Sequence, residues 1–266
     1  MKIAIVGYGN LGKTFVGSFI KSHFIKKEDI FVYTRTLPKI QDCFSIPLDN
    51  FSIDNFPFNQ DIDIVILAVK PQEFEKVAQV LEGKLNKQTI VLSVMAGVSI
   101  KKITHLLKVD KIVRSMPNLG TQIGQGMTVF SASDKTDRKD LFIIQNLINT
   151  TGKSIYVENE EMLNPATAVS GSGPAYVFYF MNAMIKVAQE LGFSTAEAEL
   201  LVHQTFLGAV NLQASFGLSN DELIKKVASK GGTTEQAISV FDQSNLNSIV
   251  AMAIKKANQR AIELGD

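Results

Sequence analysis

The chain has 266 residues, 45% of them hydrophobic and 20% charged, and its 27 Lys and Arg against 26 Asp and Glu leave a formal charge of +1. That composition excludes disordered, collagen-like and low-complexity architectures, and the length suits one large or two modest domains, each able to bury a full core. The single cysteine, Cys43, cannot close an internal disulfide, and His23, His105 and His203 lack close metal-ligand spacing, so a reducing compartment and no metal are expected. The apolar run in MKIAIVGYGN is too short for a signal-peptide core, and no later stretch approaches the roughly 18 apolar residues of a membrane span. A cytoplasmic protein with no membrane partner is expected.

Charge is mildly uneven. Residues 1–160 carry 20 basic and 16 acidic side chains, and residues 161–266 carry 7 and 10. This is too weak for a nucleic-acid partner, but it agrees with an amino-terminal half that meets a small polyanion.

In chain order, short β-branched runs fall at Lys2 to Val6, Ile30 to Thr34, Asp63 to Val69, Thr89 to Met95, Lys111 to Met116, Met127 to Ser131 and Ser154 to Val157. Between them, segments such as Leu11 to Ser22, Phe74 to Leu85 and Arg138 to Asn149 repeat apolar residues at threes and fours. Alternating strands and helices predict an α/β fold of the Rossmann type, a doubly wound, mostly parallel sheet with helices on both faces. The stretch Leu37 to Asp61, broken by Pro38, Pro47 and Pro57, reads as loops with one short strand or helix.

Beyond about residue 160 only helical periodicity remains: Ala175 to Leu191, Ser194 to Ser215, Ser219 to Ala228, Glu235 to Phe241 and Asn247 to Leu264. The expected organisation is a dinucleotide-binding domain over residues 1–159 and an all-helical domain over 160–266. The helix from Ala175 opens Ala-Tyr-Val-Phe-Tyr-Phe-Met, apolar on every face. Such a helix needs cover all round, and in a small domain a second subunit supplies it, so an obligate homodimer through the helical domain is expected. The competing reading is a central helix wrapped by its own chain.

Gly7-Tyr-Gly9-Asn-Leu-Gly12 lies between the first strand and the first amphipathic segment. In that setting Gly7 permits the tight turn, Gly9 lets a pyrophosphate approach the backbone, and Gly12 lets the helix pack close to the strand. The phosphates then face unpaired N–H groups at a positive helix end. The second strand ends at Tyr33-Thr34-Arg35-Thr36, without the carboxylate that would hold a ribose 2′-hydroxyl. An arginine fork with a hydroxyl suits a 2′-phosphate, so NADPH is expected ahead of NADH, against the alternative of a solvated loop arginine.

Five further stretches, Leu67-Ala-Val-Lys-Pro-Gln72, Ser93-Val-Met-Ala-Gly-Val98, Arg114-Ser-Met-Pro-Asn118, Ser170-Gly-Ser-Gly-Pro-Ala-Tyr176 and Gly231-Gly-Thr-Thr234, are shared in order and spacing with another set of enzymes. Together they make the chain resemble pyrroline-5-carboxylate reductases, NAD(P)H-dependent enzymes that complete proline synthesis. The resemblance implies a helical dimerisation domain, with dimers that can assemble further, often into decamers. It also implies that Asn55, Ala68, Val69, Lys70, Pro71, Val94, Met95 and Ala96 line the cofactor with Gly7, Tyr8, Gly9, Asn10, Leu11, Gly12, Thr34 and Arg35.

For a small imino acid substrate the resemblance implies Ser229, Gly232, Thr233 and Thr234, with Glu160 as an acidic contact. Physically, the Gly231-Gly232 turn opens a helix whose free N–H groups can hold a carboxylate. The competing reading is a capping box between Thr233 and Gln236 that satisfies the same donors. Imine reduction asks mainly for geometry and one donor near the ring nitrogen, and the Thr234 hydroxyl is the candidate catalytic group. Two rivals stand beside this reading. Enzymes resembling β-hydroxyacid dehydrogenases carry a lysine one turn into the corresponding helix, where this chain has Tyr176-Val177-Phe178. The other rival is a non-enzymatic NADP-binding relative, which Lys230 and Asn164-Pro165 motivate as departures from the family pattern; a reductase of another cyclic imino acid is a variant of the main reading.

Overall fold

A computed structural model describes residues 1–39, 43–53 and 61–265. By packing, the chain divides into one unit of residues Met1–Ser172 with Ala257–Asp266, and a second of Gly173–Lys256.

The first unit is built on β1 (Ile3–Val6), α1 (Asn10–Lys21), β2 (Ile30–Tyr33), β3 (Phe51–Ser52), β4 (Ile64–Leu67), α2 (Phe74–Leu81), β5 (Ile90–Ser93), α3 (Ile100–Leu107), β6 (Ile112–Pro117), β7 (Gly126–Ala132), α4 (Arg138–Asn149) and β8 (Gly152–Tyr156). The eight strands form one sheet in the order β3-β2-β1-β4-β5-β6-β7-β8. Every pairing is parallel except β6 with β7. All four residues of β1, β4 and β5 are buried, as continuous apolar runs must be when helices cover both faces. Side chains alternate across the pleat. Ile3 and Ile5 join Phe15, Phe19, Ile144 and Leu147 on one face, and Ala4 and Val6 join Phe74, Leu81, Ile103 and Leu107 on the other.

Helix α2 stops at Leu81, short of the predicted Leu85, and Glu82 leaves the helical conformation. Helix α3 lies in a stretch that the periodicity reading does not single out, and its start is capped by the Ser99 side chain accepting from the Lys102 N–H. The proline-broken stretch holds a 3₁₀ turn, Leu48–Asn50, and the short β3. A 3₁₀ turn at Glu160–Met162, the short α5 (Leu163–Ala166) and a π turn at Thr167–Gly171 follow β8 and pack on β6 and β7. Residues 160–172 therefore belong by packing with the sheet.

The second unit contains α6 (Gly173–Glu190), α7 (Thr195–Phe216), α8 (Asn220–Val227), α9 (Thr233–Gln243) and most of α10 (Leu246–Glu263). Capping boxes at Ser194 with Glu197 and at Ser219 with Glu222 start α7 and α8. Helices α6 and α7 pack together, yet no residue of α6 is buried. Tyr179, Leu191, Leu200 and Val210 are 65–77% exposed. A single chain of this kind leaves far more apolar helix surface open than a stable monomer shows. No helix among the described residues is long and apolar enough to cross a membrane.

Candidate functional site

The carboxyl ends of β1, β2 and β4 meet where the strand order turns back on itself, the place where an open α/β sheet holds its ligand. A cavity of about 420 Å³ lies there, lined among others by Gly7, Tyr8, Gly9, Thr34, Arg35, Ala68, Val69 and Lys70. Close packing fixes its floor. A Cβ on Gly7 would come 2.7 Å from the Ala68 carbonyl oxygen, and one on Gly12 would run into the Gly7 carbonyl oxygen. At Gly9, by contrast, a Cβ would meet no protein atom within 4 Å. Gly9 is also the N-cap of α1, and no side chain caps that end. Open space in front of uncapped N–H groups fits a diphosphate.

At the end of β2, Gly7 N–H donates to the Tyr33 carbonyl at 2.9 Å and Thr34 N–H to Ser52 at 3.0 Å. These bonds tie the glycine turn and the Thr34-Arg35 corner to the sheet. Arg35 is 80% exposed along its side chain and pairs with Glu73, Nη1 to Oε2 at 3.3 Å. The cavity also takes in Lys13, Tyr33, Leu37, Glu73 and Val77, which the sequence reading does not assign to the cofactor. Lys13 stands one turn into α1, with its ammonium 5.9 Å from the Tyr8 ring centroid. Its position directly after Gly12 was the one available signal. Glu73 had none, because it arrives from the 3₁₀ turn after β4.

Other expected cofactor residues stand apart from this cavity. Asn10 faces a larger, open cleft of about 850 Å³ along the outer side of α1. Leu11, Gly12 and Pro71 do not line the 420 Å³ cavity. Val94 and Met95 are 5% and 2% exposed, with side chains packed into the opposite cores of the sheet, so only their backbone can meet a ligand. Ala96 is exposed. Asn55 lies outside the described residues.

The expected substrate turn is in the second unit. Gly231 adopts φ +75°, Gly232 N–H donates to the Ser229 carbonyl at 2.9 Å, and α9 starts at Thr233 with Gly232 as N-cap and no side-chain cap. The capping box between Thr233 and Gln236, the competing reading of this turn, is therefore absent. Thr233 is already inside the helix, and Glu235, the third helical residue, accepts from the Gly231 N–H at 2.7 Å through Oε2. That contact closes the turn from behind and leaves the first N–H groups of α9 uncapped. A Cβ on Gly232 would come 2.6 Å from Ser229 Oγ, which places the Ser229 hydroxyl against the turn. Thr234 is half-buried and Thr233 exposed.

Glu160 has a different environment from these four residues. Its Oε1 accepts from Arg114 Nη1 at 2.8 Å and from the Ile100 N–H at 2.9 Å. Both recorded contacts of the carboxylate are thus to the sheet unit.

Comparison with known proteins finds matches in both halves of the chain. Residues 160–264 match the family described as pyrroline-5-carboxylate reductase dimerisation, and residues 2–97 match NADP oxidoreductase, coenzyme F420-dependent. A pyrroline-5-carboxylate reductase of Staphylococcus haemolyticus is 31% identical over 99% of this chain and 98% of its own. One from Aquifex aeolicus is 32% identical over 99% and 97%. The solved pyrroline-5-carboxylate reductase of Coxiella burnetii superposes with a TM-score of 0.89 at 33% identity, covering 100% of this chain and 98% of that one. At 31–33% identity to these reductases over nearly its full length, this chain belongs to the pyrroline-5-carboxylate reductase family.

Proposed function

We infer that the protein reduces Δ1-pyrroline-5-carboxylate to L-proline with NAD(P)H. Full-length similarity to reductases of that name carries the reading. The Gly231–Glu235 turn, an anion seat with its first helical N–H groups uncapped, supports it.

When bound, the reduced dinucleotide supplies the hydride. The chain's own work is binding and orientation. The cavity lined by Gly7, Tyr8, Gly9, Thr34, Arg35, Ala68, Val69 and Lys70 holds the cofactor, with the backbone of Pro71 and of Val94 to Ala96 extending the same strand ends. We favour NADPH over NADH because the end of β2 offers Arg35 and no carboxylate of its own. In the first turn of α9, the N–H groups of Thr233 and Thr234 hold the substrate carboxylate, with Gly232 allowing close approach and Ser229 bounding the turn. The Thr234 hydroxyl donates a hydrogen bond to the neutral imine nitrogen, passes its proton there as the nitrogen becomes an amine, and takes its own replacement proton from water. We assign Glu160 to bracing Arg114 and α3 rather than to the substrate.

The helical region pairs two chains into a homodimer, which can assemble further into a decamer. The buried free thiol of Cys43 suits the cytoplasm. The test is a coupled absorbance assay with purified protein. NADPH oxidation on adding Δ1-pyrroline-5-carboxylate, with proline as product, supports the reading. Binding of NADPH without turnover, or turnover only with a six-membered cyclic imino acid, replaces it.

A further inference from the structure

The adenosine ribose of a dinucleotide lies at the carboxyl end of β2, and a carboxylate there accepts from a 2′-hydroxyl. Sequence alone leaves that role vacant, since Thr34, Arg35 and Thr36 follow the strand. In the folded protein a carboxylate arrives from another element. Glu73 ends the 3₁₀ turn Pro71–Glu73 after β4, lines the same 420 Å³ cavity as Arg35, and places Oε2 3.3 Å from Arg35 Nη1.

We propose that Glu73 sets the cofactor preference of this protein by holding Arg35 and opposing a 2′-phosphate. The proposal rests on the dinucleotide reading of the site. A guanidinium already paired with a carboxylate presents less net charge to a 2′-phosphate, which must compete with Glu73 for the fork and sit beside its negative charge. A 2′-hydroxyl faces no such penalty and can donate to the same carboxylate. Glu73 thus lowers the advantage that Arg35 gives NADPH and lets NADH compete. The Arg35 and Glu73 side chains are 80% and 34% exposed, so the pair is solvated and its removal leaves the fold intact.

The experiment titrates the full-length protein with NADPH and NADH by nucleotide fluorescence, and with adenosine 2′,5′-bisphosphate and 5′-ADP by calorimetry, so that no step depends on turnover. In Glu73→Gln the affinity ratio should move towards the 2′-phosphorylated ligand by about fivefold at low salt. That gain should shrink as ionic strength rises, which a purely structural effect would not do. In the double variant with Arg35→Gln the gain should vanish, because the two side chains act as one unit. An unchanged ratio in Glu73→Gln, with both dinucleotides still bound, overturns the role of Glu73 alone. Failure of the unaltered protein to bind either dinucleotide overturns the site reading as well.

Discussion

Glu160 holds Arg114 at 2.8 Å while the same carboxylate oxygen accepts from the N–H of Ile100 at 2.9 Å. One side chain thereby ties the 3₁₀ turn after β8 to the middle of β6 and to the start of α3. The Arg114 side chain is only 10% exposed and Glu160 27%, so removing the carboxylate leaves a nearly buried cation without that partner. Glu160→Ala should cost about 1–3 kcal/mol of stability, read by urea unfolding. Glu160→Gln, which keeps the acceptor for Ile100, should cost less. With Glu160 acting as a brace, the KM for the imino acid in the folded Gln variant should change by less than about twofold; a larger rise would restore Glu160 to the substrate site.

A second brace is made by backbone alone. Gly97 has φ +72°, and a Cβ there would lie 2.6 Å from the Leu264 carbonyl oxygen at the end of α10. Leu264 and Gly265 thus lie against the turn that follows β5. Alanine at this position meets both the left-handed backbone and the steric conflict, so Gly97→Ala should destabilise by about 1–3 kcal/mol. Differential scanning calorimetry should show a lower Tm. Truncation before Leu264 should rescue part of that loss, since it removes the atom in the way.

How far these features were readable from sequence depends on the distance over which each is decided. Helix α4 is legible over its full span, Arg138–Asn149, because its apolar residues recur at threes and fours, and the capping box of Asp137 with Asp140 starts it at the same place. The strands were found because a sheet covered on both faces demands uninterrupted runs such as Ile64–Leu67. The glycine turn was found because its spacing follows a strand directly. Glu73 and the ion pair of Glu160 are not legible in the sequence, since their partners, Arg35 and Arg114, lie far away along the chain and only topology brings them together. The α9 start, expected at Glu235, lies two residues earlier at Thr233, because the extended backbone of Gly232 makes the N-cap and no side chain takes that role.

Acid should loosen the helix starts first. Hydrogen bonds from the Ser194 hydroxyl and then its N–H hold the Glu197 carboxyl below its usual range, bonds from the Ser219 N–H and hydroxyl do so for Glu222, and the Asp140 N–H does so for Asp137. A carboxyl whose folded value is depressed stabilises the fold above its unfolded value, and that contribution disappears as pH falls through the folded value. Stability should therefore be flat above the carboxylate range and drop on the acid side. In Glu197→Gln the difference in Tm from the unaltered protein should be present at neutral pH and close as the pH falls below the ordinary carboxylate range. A difference that persists unchanged in acid would show that the Glu197 charge has no part in it.

The anion seat proposed at α9 should separate binding from chemistry. Glu235 touches the turn through Gly231 N–H at 2.7 Å and acts as a positioning residue, so Glu235→Ala should raise the KM for the imino acid severalfold with kcat nearly kept. Thr234→Ala removes the proposed donor to the ring nitrogen. It should lower kcat by about 10- to 100-fold without abolishing turnover, because approach of the imine to the nicotinamide is retained. Steady-state kinetics on both variants tests the split. Full kcat/KM in Thr234→Ala would remove its hydroxyl from the mechanism.

Assembly should be the most fragile property of the helical region. Tyr179 is 75% exposed on a helix with no buried residue, and Leu207 and Val210 on α7 are 56% and 65% exposed. In a homodimer these apolar side chains lose their water, so a charge among them must be desolvated without a partner. Tyr179→Lys or Val210→Asp should therefore shift sedimentation from dimer or higher species towards monomer. The sheet unit carries its own two-sided core, so the monomers should retain dinucleotide binding while losing turnover. Variants that sediment as the unaltered protein does would place the contact surface on other faces of these helices.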